Sequence, residues 1–63
     1  MKTKEMIEMI KDGQQFGNEA AGWFSLLNHK KEQYMISVSN EIRFYKNIES
    51  CAKRIIQLIN RGY

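Results

Sequence analysis

His29 is the only histidine and Cys51 the only cysteine among 63 residues, so the side chains best suited to acid–base, nucleophilic or metal chemistry occur once each. A general base wants an orienting partner and a pocket. His29 stands in a polar stretch beside Lys30 and Lys31, its sequence neighbours supply neither, and it reads as a solvated turn residue. One Cys and one His give neither a paired-ligand spacing nor a closed tetrahedral set, so no metal site is expected. Cys51 has no partner for an internal disulfide and reads as a small buried hydrophobe in a reducing compartment. Glu5 and Glu8 share a helix face but look like ordinary solvating charges. Gly13, Gly17 and Gly22 lack the tight pattern leading to a Lys and a hydroxyl that a phosphate-cradling loop needs. The expectation is a protein that is not an enzyme and uses no cofactor.

The basic residues carry more weight. Residues 1–28 hold three basic and four acidic side chains, and residues 29–63 hold seven and three, so the two parts stand at −1 and +4 within a net charge of +3. Lys30 and Lys31 fall at a turn, Arg43 and Lys46 on or just after the last strand, and Lys53, Arg54 and Arg61 on the polar side of the last helix. With Tyr45 and Tyr63 available to stack or hydrogen bond, this set could follow a phosphate backbone or meet a protein partner. The competing reading is a solubilising surface, which needs charges in any case.

These residues are positioned by elements that the apolar pattern predicts. At roughly 100° per residue, Ile48, Cys51, Ala52, Ile55, Ile56, Leu58 and Ile59 share one arc of about 160° and the polar residues fill the rest. That predicts a helix over 47–62, with Asn47 as its cap and Gly62 as its left-handed stop. A shorter helix is expected over 3–12, capped by Thr3 and ended by Gly13. Residues 13–22 read as a loop with a helical turn near Asn18–Ala21. Strands are expected at 23–27, 33–38 and 41–45, with a polar turn at 28–32. Matching the apolar faces of the last two strands requires a three-residue loop, Ser39 to Glu41, which aligns Val38 with Ile42 and Ile36 with Phe44. Tyr34, Ile36, Val38, Ile42 and Phe44 would then form the floor beneath the last helix. Part of the set Phe24, Leu26, Met35 and Tyr45 would lie on the other sheet face, covered only by the first helix, and any part left bare would invite a partner.

The fold expected is a single α+β domain over residues 1–63, in the order helix-strand-strand-strand-helix, its antiparallel three-stranded sheet packed against the C-terminal helix. A chain of this length buries a thin core, which makes a homodimer an option. The sequence has no long apolar run and no signal-peptide pattern, so the expectation is a cytoplasmic protein without a membrane partner.

The opening Met1-Lys2-Thr3-Lys4-Glu5-Met6-Ile7, running to Lys11-Asp12-Gly13, resembles the start of the HicA messenger-RNA interferase toxins, whose fold is also helix, three strands, helix. That family carries its catalytic His in a Gly-Ser-His motif, whereas His29 follows Leu27-Asn28; the one enzymatic alternative that the resemblance implies is a ribonuclease acting through His29. The order, length and Lys- and Ile-rich character are also similar to small phage-encoded anti-CRISPR proteins. Many of those are acidic, and this chain is basic. The resemblances imply a binding protein acting on bacterial nucleic-acid machinery as a phage- or plasmid-type inhibitor, or alternatively a direct RNA- or DNA-binding module of HicA-like fold. In either case Lys30, Lys31, Arg43, Tyr45, Lys46, Lys53, Arg54 and Arg61 are the contact residues expected.

Overall fold

Asn47 opens the last helix, α2 (Ile48–Asn60), by accepting the Ser50 N–H on its side-chain oxygen at 2.8 Å. This satisfies one of the four donors that a first turn leaves free. At the other end Gly62 takes φ 86°, and the N–H groups of Tyr63 and Gly62 donate to the carbonyls of Leu58 and Ile59 at 3.0 Å, the paired closure that a left-handed glycine permits. In this computed structural model, which describes all residues from Met1 to Tyr63, the apolar arc of α2 buries Cys51, Ala52, Ile55 and Leu58.

The first helix, α1 (Thr3–Lys11), buries Met6 and Ile10 and half-buries Ile7 and Met9. Thr3 is not its cap. Lys2 holds the cap position and makes no side-chain bond there, and the helix starts instead on the Met6 N–H donating to the Lys2 carbonyl at 3.1 Å.

The sheet has four antiparallel strands in sequential order, not three: β1 (Gly17–Asn18), β2 (Trp23–Asn28), β3 (Gln33–Val38) and β4 (Glu41–Tyr45). The added edge comes from the glycine-containing stretch expected to be loop. Gly17 pairs with Phe24, and a Cβ there would meet Phe24 Cα at 2.9 Å and the Trp23 carbonyl at 3.0 Å, so only glycine brings the backbones together. Before it, the Phe16 carbonyl accepts from both the Ser25 N–H and the Ser25 hydroxyl at 2.8 Å, while the Phe16 N–H donates to that hydroxyl at 2.9 Å. Gln15 extends the edge with its side chain: its amide nitrogen donates to the Leu27 carbonyl and its amide oxygen accepts the Leu27 N–H, both at 2.8 Å. A 3₁₀ turn, Glu19–Ala21, with Asn18 as its cap, links β1 to β2.

Both helices lie on one side of the sheet and share a single core. Trp23 and Leu27 of β2 and Tyr34 and Ile36 of β3 pack with Met6 and Ile10 and with the apolar arc of α2. The expectation that α1 would cover the opposite face is therefore corrected. Trp23 is buried with its indole N–H unpartnered, a local cost that the surrounding apolar contacts offset.

The β3–β4 hairpin is the second correction. Its loop has two residues, Ser39 and Asn40, and Val38 pairs with Glu41 rather than Ile42. Ser39 and Asn40 both take positive φ, 50° and 66°, the backbone of the two-residue turn whose twist matches the flanking strands. Turn geometry has prevailed over the match of apolar faces. In consequence Glu41, Arg43 and Tyr45 share the helix side with Tyr34, Ile36 and Val38, while Ile42 and Phe44 are carried to the far side.

Candidate binding surfaces

The side of the sheet away from the helices follows directly from this register. Two cross-strand rows run over it, Phe24–Ser37–Ile42 and Leu26–Met35–Phe44. Phe24 is 49%, Leu26 60%, Ile42 57% and Phe44 80% exposed, whereas Ser37 on the central strand is 4% exposed and Met35 half-buried. The face is a shallow trough along β3 walled by apolar side chains of β2 and β4. A groove of about 560 Å³ lies on it, lined by Leu26, Met35, Ile42 and Phe44, with Glu32 and Gln33 at one end. The remaining strand residues pointing this way, Asn28 and Gln33, are polar but uncharged. Of the four residues expected here, Phe24, Leu26 and Met35 are on this face, and Tyr45 borders the end of its groove from the helix side of β4. Ile42 and Phe44 stand in the open instead of beneath α2.

The basic residues divide among several places. Arg43 and Tyr45 on β4 and Arg54 on α2 line one groove of about 450 Å³, floored by Ile36 and Val38. Glu41 stands in the same groove and pairs with Arg43 at 3.2 Å, an exposed ion pair of small energetic weight. Arg54 is half-buried, and its guanidinium reaches Gln57 Oε1 at 3.5 Å. Lys30 and Lys31 lie in the 3₁₀ turn His29–Lys31 between β2 and β3, where Asn28 accepts the Lys31 N–H at 3.3 Å. Lys30 borders a cleft with Lys11, Asp12 and Gln15, and Lys46 a different cleft with Glu32 and Asn47. Lys53 is exposed on α2, and Arg61 follows its last turn. Of the eight expected contact residues, only Arg43, Tyr45 and Arg54 line a common groove.

His29 is more constrained than a solvated turn residue. It is half-buried between those two clefts, and its Nδ1 shares a 2.7 Å hydrogen bond with the hydroxyl of buried Tyr34. Burial, then the nearby Glu32 and Cys51, hold the Tyr34 phenol above its ordinary pKa, which keeps the hydroxyl protonated and the bond intact. The bond ties the turn to the core, and it links residues only five apart in sequence. Cys51 is fully buried, and burial pushes its thiol up to about 11, so the nucleophilic thiolate is disfavoured.

The β4 wall of the outer face was missed in the sequence, and the signal that could have found it is local. Ser39-Asn40, flanked by alternating segments, suits a two-residue turn, and that turn alone sets the faces of Ile42 and Phe44. No helix of the chain is long and apolar enough to cross a membrane. The chain matches no protein-family model, no curated protein and no solved structure.

Proposed function

We propose that this chain is a non-enzymatic protein-binding module that docks through the outer face of its sheet. The observation that carries the reading is the contiguous, uncharged apolar face of Phe24, Leu26, Met35, Ile42 and Phe44, most of it solvent-exposed. Single exposed apolar residues are ordinary, but a patch of this extent on a 63-residue chain marks an interaction surface. The setting we infer is bacterial nucleic-acid machinery, with the chain acting as an inhibitor of the phage or plasmid type. The basic C-terminal half and the likeness in size and character to small anti-CRISPR proteins support that setting.

A second reading, direct RNA or DNA binding, is favoured by one observation: Arg43, Arg54 and Tyr45 face a common groove. A tagged pull-down from bacterial lysate, with and without nuclease, separates the two. The docking reading expects a protein partner that survives nuclease, is lost with Phe44→Ser, which alters no charge, and is kept with Lys53→Glu/Arg54→Glu. Nucleic acid as the only captured species, lost with Lys53→Glu/Arg54→Glu and indifferent to Phe44→Ser, would replace it with the second reading.

A further inference from the structure

We infer that the occupant of the outer sheet face is a second copy of this chain, packed sheet on sheet about a two-fold axis. The inference rests on the reading of that face as a docking surface and names the occupant it has in the absence of an outside protein, which competes with the second copy for the same side chains.

Three observations select a second copy. The first is charge. The chain carries +3 overall, yet no strand residue pointing outward on this face is charged. Two copies can therefore meet strand over strand without apposing like charges, with Glu32 and Glu19 at the margins of the face, and both helical layers, with Arg54 and Lys53, stay on the outside. A strongly acidic partner would find no complement among these side chains, and a strongly basic one would find only Glu32 at the end of the groove and Glu19 beside Phe24.

The second is shape. Phe24 and Leu26 on β2 and Ile42 and Phe44 on β4 stand up on either side of β3, where Ser37 is 4% exposed and Met35 half-buried. Sheets pack face to face at about 10 Å with strands inclined by roughly 30°. In that arrangement the β4 wall of one copy seats in the β3 trough of the other, and the two-fold repeats the contact. An isologous interface requires this kind of self-complementarity.

The third is area. The protruding parts of the four large side chains present on the order of 500 Å² of apolar surface. With the Asn28 and Gln33 rim, that approaches the ~800 Å² per partner of a standard stable interface. The chain alone buries only 12 of its 63 residues, so a covered outer face gives it the second layer of core that its length denies it. Edge-on joining at β2 is closed by β1 and the Gln15 side chain, and the long edge that stays open is β4, which carries Ile42 and Phe44.

The test is the mass of the purified full chain by light scattering or sedimentation, up to about 100 µM, a range that captures micromolar dimers. Wild type and Lys53→Glu are expected at twice the 7.5 kDa chain mass. Phe44→Ser, which alters an exposed side chain and is checked for folding by circular dichroism, is expected to weaken association at least about tenfold. Ile42→Ser provides a second variant with the same expectation. A single-chain mass for wild type throughout this range, or dimers indifferent to both variants, overturns the inference. The pull-down then decides the underlying reading: a partner lost with Phe44→Ser leaves the docking face standing with another occupant, and a partner indifferent to Phe44→Ser removes both.

Discussion

Gln15 does for β2 what a neighbouring peptide unit would do, offering one donor and one acceptor to the backbone of Leu27 at 2.8 Å each. Truncating it leaves a part-buried N–H and carbonyl to find water, at a cost of about 1–2 kcal/mol. Gln15→Ala is thus expected to lower the unfolding free energy by that amount, seen as a lower urea midpoint, and to speed exchange of the Leu27 amide, while amides of α2 retain their relative protection. A midpoint unchanged within error would show that water replaces the amide without loss. This role was not legible in the sequence, where Gln15 is one polar residue in a polar stretch and its partner lies 12 residues away. The His29–Tyr34 bond escaped notice similarly: Tyr34 read correctly as a core residue, but alternation fixes a face and says nothing about what a hydroxyl reaches. Cys51 was legible, because its place on the apolar arc of a helix determines its burial.

Among the elements, those with a strong local pattern were legible to within a residue or two. The arc of α2, its Asn47 cap and its Gly62 stop, and the alternation of β3 each rest on residues close in sequence. β1 was missed because two residues carry no periodicity, and the strand exists only because the tertiary fold brings Gly17 against Phe24. The hairpin register went wrong for a physical reason already visible in its loop. Ser39 at φ 50° is strained relative to Asn, and Asn40 at φ 66° relative to Gly. The double change Ser39→Asn/Asn40→Gly is expected to stabilise the chain by roughly 0.5–1 kcal/mol, seen as a higher melting temperature. Destabilisation by that pair would mean that the turn is not the two-residue form and that Ile42 and Phe44 do not face outward.

At the scale of the whole molecule, alkaline pH acts through the core. The Cys51 thiol rises from 9.0 to about 11 on burial, and Tyr34 shifts upward from 10.0 for the same main reason. Both groups are held protonated by the fold, so the unfolded chain loses these protons first. The stability linked to Cys51 is complete below about pH 9 and is lost as pH climbs toward 11. Roughly 2–3 kcal/mol is at stake across that window. In urea unfolding, wild type is expected to weaken steeply between pH 8 and pH 11, as the Cys51 shift implies. Cys51→Ala should be slightly less stable at pH 8 but lose less across the interval, with the residual loss belonging to Tyr34. Parallel slopes for the two proteins would place the alkaline sensitivity elsewhere.

The fold also separates two optical signals. Trp23 is the chain's one tryptophan, 3% exposed on the helix side of β2, with an indole N–H that no acceptor touches. An indole in such dry surroundings emits toward the blue and moves to the red only when water reaches it. Trp23 meets the outer face only at the cleft it shares with Phe24 and Ser37, and the β4 wall of Ile42 and Phe44 lies two strands away. Fluorescence therefore follows the opening of the interior while light scattering follows what gathers on Phe44, so folding and association can be read by separate signals in one sample, and a midpoint that rises with concentration would reveal their linkage.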